Sequence, residues 1–165
     1  MGRWRPPPPA SSPYITADGF STLQEENNSL WEKRAAVVKA LAAAAAEGDR
    51  SENAEYIYRK KELGGIDRRI RYLQKRLPNL NVVRDFSKHD KVYFGAWVSL
   101  EKDNGDAVEY RIVGPDETDA RKGWISMDSP LAKVLLKRQV GDEVSIKLES
   151  GLINYCLTAI RYPES

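Results

Sequence analysis

The sequence of 165 residues predicts an α+β protein, an N-terminal antiparallel α-helical coiled coil followed by a C-terminal antiparallel sheet with one helix. Three observations carry this expectation. Apolar residues recur every seven positions in two long segments. An acidic, glycine-containing turn separates the segments, running Glu47-Gly48-Asp49-Arg50-Ser51-Glu52-Asn53-Ala54-Glu55-Tyr56. From about Val82 the period changes to that of strands, and Asp103-Asn104-Gly105-Asp106 forms a hairpin turn, because Asn-Gly tolerates positive φ.

The elements follow in chain order. Residues 1–13 contain Pro6-Pro7-Pro8-Pro9 and read as a flexible, proline-rich extension, since consecutive prolines cannot enter a helix. Helix one is expected to begin at Tyr14-Ile15-Thr16, with Thr16 as N-cap and Asp18 in the first turn. One register gives Phe20, Asn27, Arg34 and Leu41, and its companion gives Leu23, Leu30, Val37 and Ala44. In the second segment Tyr56, Leu63, Ile70 and Leu77 alternate with Ile66, Leu73 and Leu80. Two such arms over 14–80, each of about 30 residues, span roughly 45 Å when they fold back on each other. Gly64-Gly65 interrupts the second arm, where each glycine costs about 1 kcal/mol relative to alanine, and predicts a weak or bent point. Pro78 suits its end.

The remaining segment, 81–165, is expected to form the sheet domain. Val92 to Leu100 reads as a strand, Ala107 to Val113 as its return, and Trp124-Ile125-Ser126 as a short extended piece. Ser129-Pro130 opens a helix to about Lys137, with serine as cap and proline at the first helical position. Val144 to Leu148 and Asn154 to Ile160 make the last strand pair around Glu149-Ser150-Gly151, with Leu152-Ile153 unusually apolar beside a turn.

The net charge is only +2 but is unevenly distributed: residues 59–76 carry +6, whereas 1–58 and 77–165 each carry −2. A basic stripe of this kind favours a polyanion such as nucleic acid, although a solvated helix face gives the same pattern. The single Cys156 allows no internal disulfide and no cysteine-based zinc site. No stretch has the length of an apolar membrane span or signal-peptide core, so a cytoplasmic protein that does not enter membranes is expected.

Two carboxylates three residues apart, Asp49 and Glu52, admit two readings. As a capping box, Asp49 caps helix two, Glu52 reaches back, and Gly48 ends helix one. As metal ligands, they share one hard cation. Mg²⁺ takes one or two carboxylates and fills its remaining positions with other oxygens, so another molecule has to complete the shell.

Gly48 to Tyr56 resembles the tip of the Gre family of bacterial transcript cleavage factors. The segments Ile57-Tyr58-Arg59-Lys60-Lys61, Ile66-Asp67-Arg68-Arg69-Ile70-Arg71, Phe94-Gly95-Ala96-Trp97-Val98, Arg111-Ile112-Val113-Gly114 and Trp124 to Pro130 are similar to its GreB branch. The resemblance runs from Tyr14 to Tyr162. It implies an FKBP-like C-terminal domain that docks at the RNA polymerase secondary channel through Asp128, Ser129 and Pro130. It implies that the coiled coil carries Asp49 and Glu52 to the polymerase active site, where both act on a shared Mg²⁺. The polymerase then cleaves its own backtracked RNA, so the factor stimulates an enzyme without being one. Ser51 or Asn53 is expected to bond the attacking water. Arg59, Lys60, Lys61, Arg68, Arg69 and Arg71 are expected to contact phosphates near the RNA 3′ end, Arg59 and Lys60 foremost, while Tyr56 and Tyr58 are either base-stacking or core residues. The partners implied are polymerase and nascent RNA, with no membrane, for a monomer. His89 has no assigned role. The proline-rich extension and Gly64-Gly65 depart from the family pattern. Two alternatives stay open: a channel binder that regulates or inhibits polymerase without cleavage, and an independent prolyl isomerase.

Overall fold

The computed structural model describes residues 10–48, 53–86 and 89–164. The chain divides into a helical unit, Asp18–Leu80, and a sheet unit composed of Met1–Ala17 with Asn81–Ser165. This differs from the expected hairpin domain over 14–80, and a strand pair is the reason. Strand β1, Tyr14–Thr16, pairs in parallel with β2, Asn81–Val83, so the N-terminal residues join the C-terminal half. At three residues each, these strands are too short to display a period. Thr16 does precede the helix as a cap residue would, yet its amide, at 2.8 Å, and its hydroxyl both donate to the Glu117 carboxylate.

The helical unit consists of α1, Ala17–Ala45, and α2, Ala54–Arg76, followed by a 3-10 turn at Leu77–Asn79 that contains Pro78. The helices run antiparallel: Arg34 pairs with Asp67 at 2.7 Å, while Glu26, earlier in α1, pairs with Arg69, later in α2. The heptad registers mark the seam. Leu23, Val37 and Ala44 are buried from α1, and Ile66, Ile70 and Leu73 from α2. Leu30 and Leu63 pack against the cluster of Val37, Ile66 and Ile70. Burying one such aliphatic side chain contributes about 1.5–3 kcal/mol, whereas an exposed ion pair contributes roughly 0–1 kcal/mol. Packing therefore holds the pair together. Asn27 occupies the first register, and its Oδ1 is buried with no partner among the described residues. A polar group on such a seam lowers stability while disfavouring other registers.

Helix α2 runs unbroken through Gly64 and Gly65. Leu63 and Ile66 flank the glycines and pack in the seam on either side, which holds the helix across them. A Cβ at either glycine would meet only the Arg68 guanidinium, at 3.5 and 3.7 Å. Both distances are ordinary contacts. Gly64→Ala and Gly65→Ala are each expected to stabilise the helical unit by about 1 kcal/mol, read as a higher melting temperature by circular dichroism.

The sheet unit contains β3 (Trp97–Lys102), β4 (Ala107–Val113), β5 (Trp124–Ser126), β6 (Glu143–Leu148) and β7 (Gly151–Arg161). Their order is β5-β4-β3-β7-β6. The pairs β3/β4, β3/β7 and β6/β7 are antiparallel, but β5 lies parallel to β4, making the sheet mixed. Val98, Leu100, Ile112, Val144, Ile146, Tyr155 and Leu157 share one core with Ala132 and Leu135 of α3, Pro130–Leu135. The Asn-Gly hairpin forms as expected, with Gly105 at φ +87 and its amide donating to the Lys102 carbonyl at 2.9 Å.

Three boundaries shift. The strand expected from Val92 begins only at Trp97, because Gly95 turns the chain at φ +88 against the Phe86 ring, which leaves no room for a Cβ. Helix α3 stops at Leu135, before Lys137 turns to φ +72. Leu152 and Ile153 lie inside β7, where Ile153 packs on the core and Leu152 stays exposed.

Candidate functional site

The turn between α1 and α2 is defined by its two rims. On the α1 side the Ala46 amide donates to the Ala42 carbonyl and the Glu47 amide to the Ala44 carbonyl, both at 3.2 Å. Gly48 follows at φ +127, a conformation that L side chains rarely adopt. On the α2 side Asn53 is the N-cap: its Oδ1 accepts from the Tyr56 amide at 3.0 Å. Its Nδ2 donates 2.8 Å back to the Ala44 carbonyl near the end of α1. One side chain thus caps one helix and closes the turn onto the other.

This corrects one expectation. The capping box assigned Asp49 to the start of α2, but the cap is Asn53, four positions later. Asn53, also a candidate to orient a water, uses one donor and one acceptor of its amide within the turn. Asp49, Ser51 and Glu52 themselves lie outside the described residues, as does Arg50. Asn53→Ala removes the cap and the donor to Ala44. It is expected to cost about 1 kcal/mol of helical stability, measured by thermal or urea unfolding.

The cations of α2 fall into two sets. Arg59 donates to Glu55 at 2.8 Å and to Glu62 at 3.2 Å, and its guanidinium stacks 5.5 Å over the Tyr58 ring. Its hydrogen bond to the Glu55 carboxylate, then that to Glu62, raises its pKa. Arg69 makes a two-pronged pair with Glu26 at 2.7 and 3.0 Å and lies 5.2 Å over Tyr72. Lys60, Lys61, Arg68 and Arg71 are exposed and form no ion pair among the described residues. Stepping about 100° per residue, Lys61 and Arg68 point away from Ile66 and Ile70, and Lys60 and Arg71 lie together to one side of them. Four exposed charges therefore share the outer face of α2. Arg59, expected to lead the stripe, is the one of these whose charge faces two carboxylates of its own helix. Tyr58 is exposed and Tyr56 half-buried, which separates a stacking candidate from a seam residue.

Asp128, Ser129 and Pro130 lie together at the entrance to α3. Ser129 caps the helix, accepting from the Ala132 amide at 3.3 Å, and Pro130 is its first residue. Asp128 accepts from Ser12 twice, from the amide at 2.9 Å and from the hydroxyl. Ser12 is therefore anchored, and the segment expected to be loose up to residue 13 is held at its last positions. Sequence reasoning missed Ser12 and Glu117, whose partners are 116 and 101 positions away and leave no local signature. His89 sits edge-on to Tyr93 and Tyr162, with centroids at 4.9 and 5.8 Å.

An antiparallel helical pair with one cationic outer face, carried by a chain that also forms a separate α+β unit, defines a two-part protein. Residues 13–82 match the family model described as transcription elongation factor, N-terminal, and residues 87–162 the GreA/GreB C-terminal model. The chain is 55% identical to the transcription elongation factor GreB of Xanthomonas axonopodis pv. citri over 98% of each chain. It is 48% identical to that of Pseudomonas aeruginosa, covering 99% of this chain and 98% of the relative. Among solved structures, GreA factor homolog 1 of Thermus thermophilus is similar with a TM-score of 0.43 at 24% identity, covering 90% of this chain and 97% of that one. The chain belongs to the GreA/GreB family of transcription elongation factors. Among the described residues, no helix is long and apolar enough to cross a membrane.

Proposed function

We propose that this protein binds bacterial RNA polymerase through its sheet unit and inserts its helical pair into the secondary channel, stimulating cleavage of backtracked RNA. The observation that carries this reading is the Asn53 cap. It performs the structural task that Asp49 would otherwise have at the start of α2. Two acids in the same turn then have a functional reading without a competing cap assignment. Asp49 and Glu52 are hard oxygen donors suited to Mg²⁺, and two carboxylates match the share that such an ion takes from one protein. When bound, the ion supplies charge stabilisation for the oxygens of a phosphodiester undergoing hydrolysis. The chain's own part is to present the two carboxylates at the end of a helical pair, with Lys60, Lys61, Arg68 and Arg71 attracting RNA phosphates along the outer face.

In this reading the chemistry belongs to the polymerase and the protein acts in the cytoplasm as a monomer. The test uses stalled, backtracked elongation complexes with labelled RNA 5′ ends. Addition of the protein is expected to shorten the RNA from its 3′ end and restore elongation. Binding that leaves the RNA intact would favour the inhibitory alternative.

A further inference from the structure

The sheet ends in β5 on one side and β6 on the other, and its two edges differ. The outer edge of β5, three residues long, is covered by Asp119, which exchanges backbone hydrogen bonds with Trp124 at 3.0 and 2.9 Å. Strand β6 has six residues and, among the described residues, pairs with β7 alone. The Leu157 amide of β7 donates to the Asp142 carbonyl at 2.9 Å, just ahead of β6. Bonded pairs recur at every second residue of an antiparallel ladder, so Val144, Ile146 and Leu148 turn their backbone groups towards β7. Glu143, Ser145 and Lys147 turn theirs outward, and all three residues are exposed. An open row of amides and carbonyls is a template for another strand.

The charges along this row select the strand that fits it. Edge strands are commonly protected by charges that repel a second copy, but here one end is acidic and the other basic. Two β6 strands set antiparallel about Ser145 bring Glu143 of each copy opposite Lys147 of the other, with Val144 opposite Ile146. Outward-turned backbone groups then meet only outward-turned groups, and opposite charges directly across a ladder attract. Shifting the register by two residues one way sets Glu143 against Glu149, and the other way leaves Lys147 opposite Gly141. One register therefore satisfies backbone and charge together.

We propose that β6 pairs with β6 of a second copy of this chain, antiparallel about Ser145, joining two sheets into one in the free protein. Six residues a side bury less than the roughly 1,200–2,000 Å² of a stable interface, so the association is weak and depends on concentration. It is independent of the proposed action on RNA polymerase, which a single chain performs.

The test is sedimentation equilibrium of the full-length protein from micromolar to millimolar concentration. The average mass of wild type is expected to rise from that of one chain towards that of two. Glu143→Lys sets lysine against lysine and Lys147→Glu sets glutamate against glutamate, so each should weaken association about tenfold. An equimolar mixture of these two variants restores opposite charges at both pairs and should associate as wild type does. The protein carrying both substitutions should do the same. Ser145→Pro removes an outward amide, which an edge strand tolerates, and should abolish the pairing. Melting curves verify that each variant folds, and if one charge variant does not, the double variant and Ser145→Pro still decide. Single-chain mass for wild type at every concentration would overturn the inference. Association that survives Ser145→Pro would overturn it too, as would a mixture that associates no better than either variant alone.

Discussion

Asp49→Asn or Glu52→Gln is expected to reduce stimulated RNA cleavage on the order of 100-fold, about 2.7 kcal/mol of barrier, while polymerase binding stays intact. Each substitution keeps the side chain's size and removes its charge. An amide oxygen is a far weaker partner for a hard cation than a carboxylate, so the loss should appear in the rate at saturating factor. Affinity is set elsewhere, on the sheet unit in the proposed reading. Stability should hardly change, because the cap of α2 is Asn53 and not either acid. Raised Mg²⁺ should recover part of the activity of each single variant but not of the double. The measurement is single-turnover cleavage in backtracked complexes against factor and Mg²⁺ concentration. Full-rate cleavage by the double variant would exclude both acids from the chemistry.

The second large effect concerns the outer face of α2. Replacing Lys60, Lys61, Arg68 and Arg71 together by alanine should strongly weaken the protein's hold on extruded RNA without lowering its melting temperature. Those four residues are exposed and make no ion pair among the described residues. Each lost phosphate contact should flatten the dependence of log affinity on log salt by about 0.7 on a single strand. Arg59→Ala should have a smaller effect on RNA, since Glu55 and Glu62 already offset its charge. Arg69→Ala should instead act on the helical pair, where the contact with Glu26 is partly exposed and contributes at most about 1 kcal/mol. RNA crosslinking across a salt series, alongside thermal unfolding, separates the two sets. Equal losses from paired and unpaired cations would show that net charge, not the free outer face, governs the contact.

The heptad registers were legible because a helix repeats over local sequence: Leu23, Val37, Ala44, Ile66, Ile70 and Leu73 are buried where the spacing puts them. The Asn-Gly hairpin and the Ser129 cap were legible for the same reason, since each depends on residues a few positions apart. One local reading failed in an instructive way. Asp49-x-x-Glu52 has the spacing of a capping box, but Asn53 is closer to the helix and reaches Tyr56 directly. At Gly64-Gly65 the helix runs on, with Leu63 and Ile66 packing in the seam on either side. Charge in the basic stripe was visible as a sum, yet the division into paired and free cations was not, because Glu26 comes from the other helix.

By itself, then, the sequence determined the helical pair, its registers, the acidic turn and most of the sheet. Only the tertiary structure decided that Tyr14–Thr16 is a strand in the C-terminal unit, that β5 runs parallel to β4, and that Ser12 and Thr16 belong to Asp128 and Glu117. The physical reason is separation along the chain. A periodic face or a cap is written within a few residues, whereas a hydrogen bond closing a loop of a hundred residues exists only once the surrounding core has brought its ends together.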